Sequence, residues 1–250
     1  FQGDHFAYER AREVDAITRI EEVRQTTSYG AGAKAAAESS LNAIKTIVTQ
    51  PVHTAKAIPT GVRRFFGNVY RMTQGDRGEY EDSYAREIIG FSAAKRKIAS
   101  RLAVDPYSSN PRLQEALDDV TWVTYAGGMS VEIFKQVVVP APVSTGLTVT
   151  DTSVAMAEMI KNESPESLLK INRDKLAAID STGTMADSLF ANPWYSPKRT
   201  TLLVDALYEL RLVPGVDLYL RTVLWAESEH EAFFHQRNAE LLRGYHRNVE

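Results

Sequence analysis

The stretch NPWYSPKRTTLLVDAL (192–207) decides the fold class, because it carries a helix start that depends on local chemistry alone. Ser196 stands where an N-cap side chain accepts a backbone N–H, and Pro197 follows at the first helical position, which needs no N–H donor. The run after them is amphipathic. The stretch DPYSSNPRLQEALDD (105–119) repeats this order of aromatic residue, capping residue, proline and amphipathic run. We interpret the two as independent uses of one capping chemistry, with a duplicated helical unit as the alternative.

Helical periodicity extends over almost the whole chain. Apolar residues recur at spacings of three and four, which predicts helices over residues 4–25, 28–48, 84–103, 111–137, 151–162, 165–180, 198–211 and 216–247. Within 28–48, Gly30 and Gly32 are expected to form a flexible joint, and the Ala-rich helix is expected to follow them. Only residues 137–150, VVVPAPVSTGLTVT, look strand-like, and we predict an extended Pro-rich loop there because proline removes ladder donors. The predicted fold is an all-α, multi-helix bundle.

Prolines and glycines divide this pattern into regions. Pro51 and Pro59 interrupt residues 4–73, which we expect to form a semi-independent N-terminal helical arm. Residues 74–83 are polar, contain two glycines and are the predicted linker. Residues 84–250 are the predicted main helical domain.

The two ends of the chain carry separate expectations. Residues 1–3, FQG, are interpreted as the remnant of a protease-site tag that replaced a native signal. The helical pattern continues to Glu250 without a stop signal, so the natural protein is expected to extend further.

Composition excludes several classes of function. Hydrophobic residues make up 44% and charged residues 24% of the 250 positions, as in an ordinary globular protein. A net charge of −3 argues against nucleic acid as a partner. Cysteine is absent from the sequence, which excludes disulfides, thiolate metal sites and cysteine nucleophiles. No window approaches 18 consecutive apolar residues, so no transmembrane helix is expected.

Three motifs carry a resemblance to a family. VDPYSSNPRLQEALD, SPESLLKINRDKL and ANPWYSPKRTTLLVDAL together resemble an uncharacterised, predominantly helical family of exported bacterial proteins. The similarity covers roughly residues 90–250. It implies a bacterial helical protein in the periplasm or elsewhere outside the cytoplasm, and it supplies no catalytic or binding residues.

The stretch LWAESEHEAFFHQRNAELL (224–242) holds the candidate metal ligands. Glu227 and His230 follow the four-and-three spacing of a predicted buried helical stripe, whose apolar members are Val216, Leu220, Val223, Phe234 and Leu241. The two form Glu-x-x-His, as in di-iron carboxylate bundles. Such a site needs a second Glu-x-x-His, and the sequence has none. Glu231 and His235 are four residues apart and add a second pair, but two ligands on one helix are not a complete metal site. We therefore favour a buried structural Glu–His pair, with no metal or other cofactor. A metal-dependent enzyme that draws further carboxylates from Glu9, Glu13 or Glu158 is the alternative.

A basic aromatic segment is the main candidate binding region. Six basic residues face a single acid, Glu38, between residues 30 and 74. The segment that interleaves arginine with aromatic residues predicts contact with an anionic membrane surface or an acidic protein partner. Packing of the same aromatics into this protein's own core is the structural alternative. The candidate binding residues are Lys56, Arg63, Arg64, Phe65, Phe66, Tyr70 and Arg71.

The expected function is therefore a non-enzymatic binding or scaffolding protein of a bacterial envelope that contacts a membrane surface or a protein partner through this arm. Metal-dependent catalysis and carriage of an apolar ligand between helices remain the alternatives. Tyr107 and Tyr195 are candidates to line such a groove, while Trp122, Trp194 and Trp225 are expected to anchor the packing.

Overall fold

The computed structural model describes residues 3–38, 82–126 and 154–248, which fall into two compact units. The first unit contains residues 3–38 and 82–126, and the second contains residues 154–248. In these ranges every regular element is a helix, which confirms the predicted all-α fold. No helix in the described ranges is both long enough and apolar enough to cross a membrane.

The first unit is arranged around one helix. Its elements are α1 (Gly3–Arg24), α2 (Thr27–Glu38), α3 (Asp82–Arg101) and α4 (Pro111–Ala126). Helix α4 packs against the other three because it is apolar on several faces. Its buried apolar residues are Leu113, Ala116, Leu117, Val120, Trp122 and Val123. All of them except Trp122 meet Ile20 and Val23 of α1 and Ile98 of α3 in the core of this unit. Trp122 packs instead with Ala36 of α2 and Phe91 of α3.

The second unit is built in the same way around α8. Its elements are α5 (Val154–Asn162), α6 (Pro165–Leu176), α7 (Thr184–Ala191), α8 (Pro197–Glu209), α9 (Val216–Val223) and α10 (Glu229–Arg247). Helix α8 packs against α5, α6 and α10, and α7 packs against α6 and α9. The LLVDAL run explains the central position of α8, since Leu202, Leu203, Val204, Ala206 and Leu207 are all buried.

Both predicted proline-started helices are confirmed. The Ser196 hydroxyl accepts the Arg199 N–H at 3.1 Å, and Pro197 is the first residue of α8. The Asn110 carboxamide oxygen accepts the N–H groups of Arg112 at 3.1 Å and Leu113 at 3.4 Å at the start of α4.

Two helix predictions were wrong, and one helix was missed. Helix α2 already begins at Thr27, so Gly30 lies inside it and the expected flexible joint is absent. The eight-residue helix α7 was not predicted. The single helix expected over 216–247 is two helices, α9 and α10, separated by residues 224–228. The linker up to residue 81, the loop 137–150 and much of the arm lie outside the described residues.

Candidate interaction surface

The start of α10 is fixed by a local cap. The Ser228 hydroxyl accepts the Glu231 N–H at 3.2 Å, and the Glu231 carboxylate accepts the Glu227 N–H at 2.7 Å. This is close to a capping box, in which a Ser and a Glu three residues later satisfy the free N–H groups of a helix start. The cap therefore starts a new helix, and the face on which each residue of α10 lies does not follow from continuing the spacing of α9.

The turn before α10 is held by the loop that precedes α8. The Asn192 side-chain amide donates to the carbonyls of Leu224 at 3.3 Å and Ala226 at 3.0 Å. The fully buried Tyr195 donates its hydroxyl to the Val223 carbonyl at 2.9 Å. Burial raises the pKa of Tyr195 well above its usual value, so the phenol remains a donor. The NPWYSP loop therefore fixes the end of α9 and the first part of the turn between α9 and α10.

The inward face of α10 is unusually polar. Its buried residues are Ala232, Phe233, Gln236, Ala239, Glu240 and Arg243. Gln236 accepts from Arg199 of α8 at 3.2 Å and donates to Glu240 at 2.9 Å. Arg237 donates to the other oxygen of Glu240. Each charge on this face therefore has a hydrogen-bonded partner, as a buried charge requires.

A second group of charges continues this face toward the end of α10. Asp205 of α8 accepts from Arg243 at 3.0 Å and from Lys175 of α6 at 2.6 Å. Arg247 donates two hydrogen bonds to Glu209, at 2.7 and 2.8 Å. Helices α6, α8 and α10 are thus joined by charged side chains as well as by apolar packing.

The outward face of α10 is apolar. Phe234, Asn238, Leu241 and Tyr245 are separated by four, three and four residues, and since each residue turns the helix by about 100°, the four share one face. We call these four residues the outer stripe. The exposed fractions are 36% for Phe234, 43% for Leu241 and 71% for Tyr245. Polarity is therefore partly inverted on α10, since Gln236, Glu240 and Arg243 are buried beside three apolar residues while large apolar side chains lie outside.

His235 lies at the edge of the outer stripe. Its backbone carbonyl accepts the Tyr219 hydroxyl of α9 at 2.8 Å, and its half-buried ring makes T-shaped contacts with the rings of Tyr219 and Phe234. Burial lowers the pKa of His235, and Glu231 partly opposes this effect. Within the described chain its Nδ1 is buried without a hydrogen-bond partner, so a neutral imidazole fits this position.

The expected buried Glu–His pair is wrong. Glu227 lies in the turn before α10, His230 lies in its first turn, and both are exposed. Glu231 is used in the helix cap, and His235 is on a different face from His230. Phe234 and Leu241, expected on the same buried stripe, point outward. The cap at Ser228 interrupts the spacing on which that expectation depended. Its Ser-x-x-Glu signature was visible in the sequence.

The proposed extra carboxylates are also separated from this segment along the chain. Glu13 is buried in the first unit, where it accepts from Ser108 and Asn110. Glu158 is exposed on α5 and pairs with Lys161. In the described ranges no three His, Asp or Glu side chains converge in a way that would hold a metal ion.

The tryptophans differ from one another. Trp122 is buried in the first unit and Trp194 packs against the core of the second, as expected. Trp225 is 81% exposed in the turn before α10, so the expectation that it anchors packing was wrong. The candidate residues of the basic aromatic arm, Lys56 to Arg71, lie outside the described residues.

No model of a protein family matches the chain, and no curated protein or solved structure matches it.

Proposed function

We propose that this protein is a non-enzymatic binding or scaffolding protein of a bacterial envelope, and that it holds a protein partner on the outer stripe of α10. The inverted polarity of α10 carries this proposal. The helix buries Gln236, Glu240 and Arg243, although Leu241 and Tyr245 would fill a core at a lower desolvation cost. Apolar side chains kept outside in a linear array are typical of protein-binding surfaces.

The surroundings of the stripe support the same function. Trp225 is exposed in the turn that begins α10, and tryptophan is enriched among the residues that dominate binding energy at protein interfaces. The turn is tied to the second unit by Asn192 and Tyr195, so the Trp225 backbone is fixed before a partner arrives. A pre-organised surface loses less conformational entropy on binding.

Site-specific photo-crosslinking tests this function. Leu241 would be replaced by a benzophenone amino acid in cells that make the protein naturally, and Leu212, which is 85% exposed outside the outer stripe, would be the matched control. We expect a covalent protein adduct from position 241 and none from position 212. The partner, once purified, should bind wild type and lose affinity for Leu241→Lys. Equal adducts from both positions, or none from either, would contradict the proposal.

The envelope location rests on the family resemblance, and contact with lipid rests on the composition of the arm. Cell fractionation tests the location. Flotation with vesicles that contain or lack anionic lipid distinguishes lipid from protein as the ligand, since a protein-binding surface predicts no flotation with either kind.

A further inference from the structure

The outer stripe has the symmetry needed to pair with itself. We propose that its partner is a second copy of this chain, with the two α10 helices antiparallel across a two-fold axis. The pairing rests on the proposed function, because it names the partner that the outer stripe holds.

The spacing of the stripe is the same when read from either end. Phe234, Asn238, Leu241 and Tyr245 are arranged symmetrically about the peptide between Ala239 and Glu240. In an antiparallel pair centred there, Phe234 of one copy faces Tyr245 of the other, and Asn238 faces Leu241. A two-fold interface requires this kind of self-complementary patch. The four-three-four spacing is also that of a two-helix seam.

The charges at the two ends of α10 favour the antiparallel orientation. The first turn of α10 carries Glu229 and Glu231, and its last turn carries His246 and Arg247. Antiparallel helices bring the acidic turn of each copy toward the basic turn of the other, whereas parallel helices bring like charges together. The helix dipoles favour the same arrangement.

These charges are not all equally available. Glu229 lies 3.6 Å from Arg199, and Arg247 already binds Glu209 at 2.7 Å. Glu231 also accepts the Glu227 N–H in the helix cap, but it is exposed at the border of the stripe, so its negative charge is the one that lies nearest to the C-terminal turn of a partner. The attraction should therefore weaken as salt is raised, while the apolar contact remains.

The length of the stripe determines the expected affinity. Eleven residue steps at about 1.5 Å each give a seam of roughly 16 Å. A seam of this length between two single helices buries less surface than the roughly 1,200–2,000 Å² of a standard interface, so we expect weak pairing with a dissociation constant in the micromolar range.

Sedimentation velocity on the full chain, from about 1 µM to about 1 mM, tests the pairing. We expect a monomer–dimer transition in wild type and in the control Leu212→Lys. In Leu241→Lys the dissociation constant should rise by about tenfold or more, because a lysine must be desolvated in the seam. A wild-type chain that stays monomeric over this range overturns the inference, as does equal weakening by both variants.

Disulfide trapping tests the orientation, and the absence of cysteine from the sequence makes each introduced thiol unique. Phe234→Cys and Tyr245→Cys would be oxidised separately and as a mixture. Since a disulfide needs Cα atoms about 4.4–6.8 Å apart, we expect the cross-linked dimer mainly in the mixture. Efficient cross-linking of each variant with itself would show parallel helices and overturn the antiparallel pair.

The experiments can disprove the self-pairing without disproving the proposed function. If wild type is monomeric while benzophenone at position 241 captures a different protein, the function stands and the self-pairing is wrong. If the Leu241 variant forms no adduct at all, both are wrong.

Discussion

The loops of residues 105–110 and 192–196 begin with the same local structure, but a charged group holds the first in place and neutral groups hold the second. In the first unit the Asp105 carboxylate accepts the Tyr107 N–H at 2.9 Å, and in the second the Asn192 side chain accepts the Trp194 N–H at 3.0 Å. Each loop then ends in a capping residue and a proline that starts a central helix. Beyond this local pattern, the loop of residues 105–110 is fastened by a buried carboxylate.

That carboxylate belongs to Glu13 of α1. It accepts from Ser108, from Asn110 at 2.9 Å and from Arg10 at 2.8 Å. The loop at 192–196 is fastened instead by neutral donors, which bind the carbonyls of residues 223, 224 and 226. Similar local sequences therefore specify the same helix start, while the anchor is supplied by whatever segment the fold brings near.

The largest change in the free energy of unfolding should come from replacing Tyr195, and it should exceed the change from replacing Tyr107. Tyr195 is fully buried and Tyr107 is half-buried, so Tyr195→Ala should lower the free energy of unfolding of the second unit by about 3–5 kcal/mol. For Tyr107→Ala in the first unit we expect about 1 kcal/mol. Hydrogen exchange of peptides from each unit measures the two separately. Equal losses would show that the loops do not differ in their packing.

Removing the charge from the first anchor should have the next largest effect. Glu13→Gln places an amide donor against the donors of Arg10 and Asn110, and we expect the first unit to lose about 2–3 kcal/mol. The matched control is Glu22→Gln, an exposed acid on the same helix, with a loss below about 0.5 kcal/mol. Similar losses in the two variants would mean that the charge of Glu13 is unimportant.

Removing the neutral anchor should have a smaller effect. Asn192→Ala removes two donors to backbone carbonyls and one acceptor, and it should cost the second unit about 1–2 kcal/mol. Because neither Asn192 nor the groups it binds are charged, this loss should not change with salt, whereas that of Glu13→Gln should decrease. Denaturant titrations at low and high salt compare the two. Salt sensitivity at Asn192 would remove the distinction between the anchors.

The predictable part of the fold is the part with local causes. Ser196 and Asn110 act within three residues of themselves, so their sequence neighbours reveal their roles. Glu13 and Ser108 are 95 positions apart, and no local pattern links them. Helix α7 has only eight residues, too few to show a clear period, and its start at Gly183 has no side-chain cap.

The candidate surface was missed for a different reason. The apolar spacing, continued through Ser228, predicts one continuous buried stripe that includes Phe234 and Leu241. Apolar periodicity identifies a face, but it does not distinguish a core from an interface. On α10 the inward face is chosen by its partners, since Arg199 and Asp205 attract Gln236 and Arg243. Those partners are more than 35 residues away.

The smallest effect on stability should arise from His235, through the pH dependence of the free energy of unfolding of the second unit. Burial holds its pKa below the unfolded value of about 6.5, so the unfolded chain binds the proton more readily. The free energy of unfolding of the second unit should therefore be greatest above pH 6.5 or so and fall as the pH drops toward the folded pKa. In His235→Gln this slope should vanish, while the bond from Tyr219 to the backbone carbonyl is kept. Asn192 does not titrate, and burial keeps Tyr195 protonated. If the free energy of unfolding of His235→Gln still depended on pH in this range, the dependence would come from another group. His235 would then not be the pH-sensitive residue.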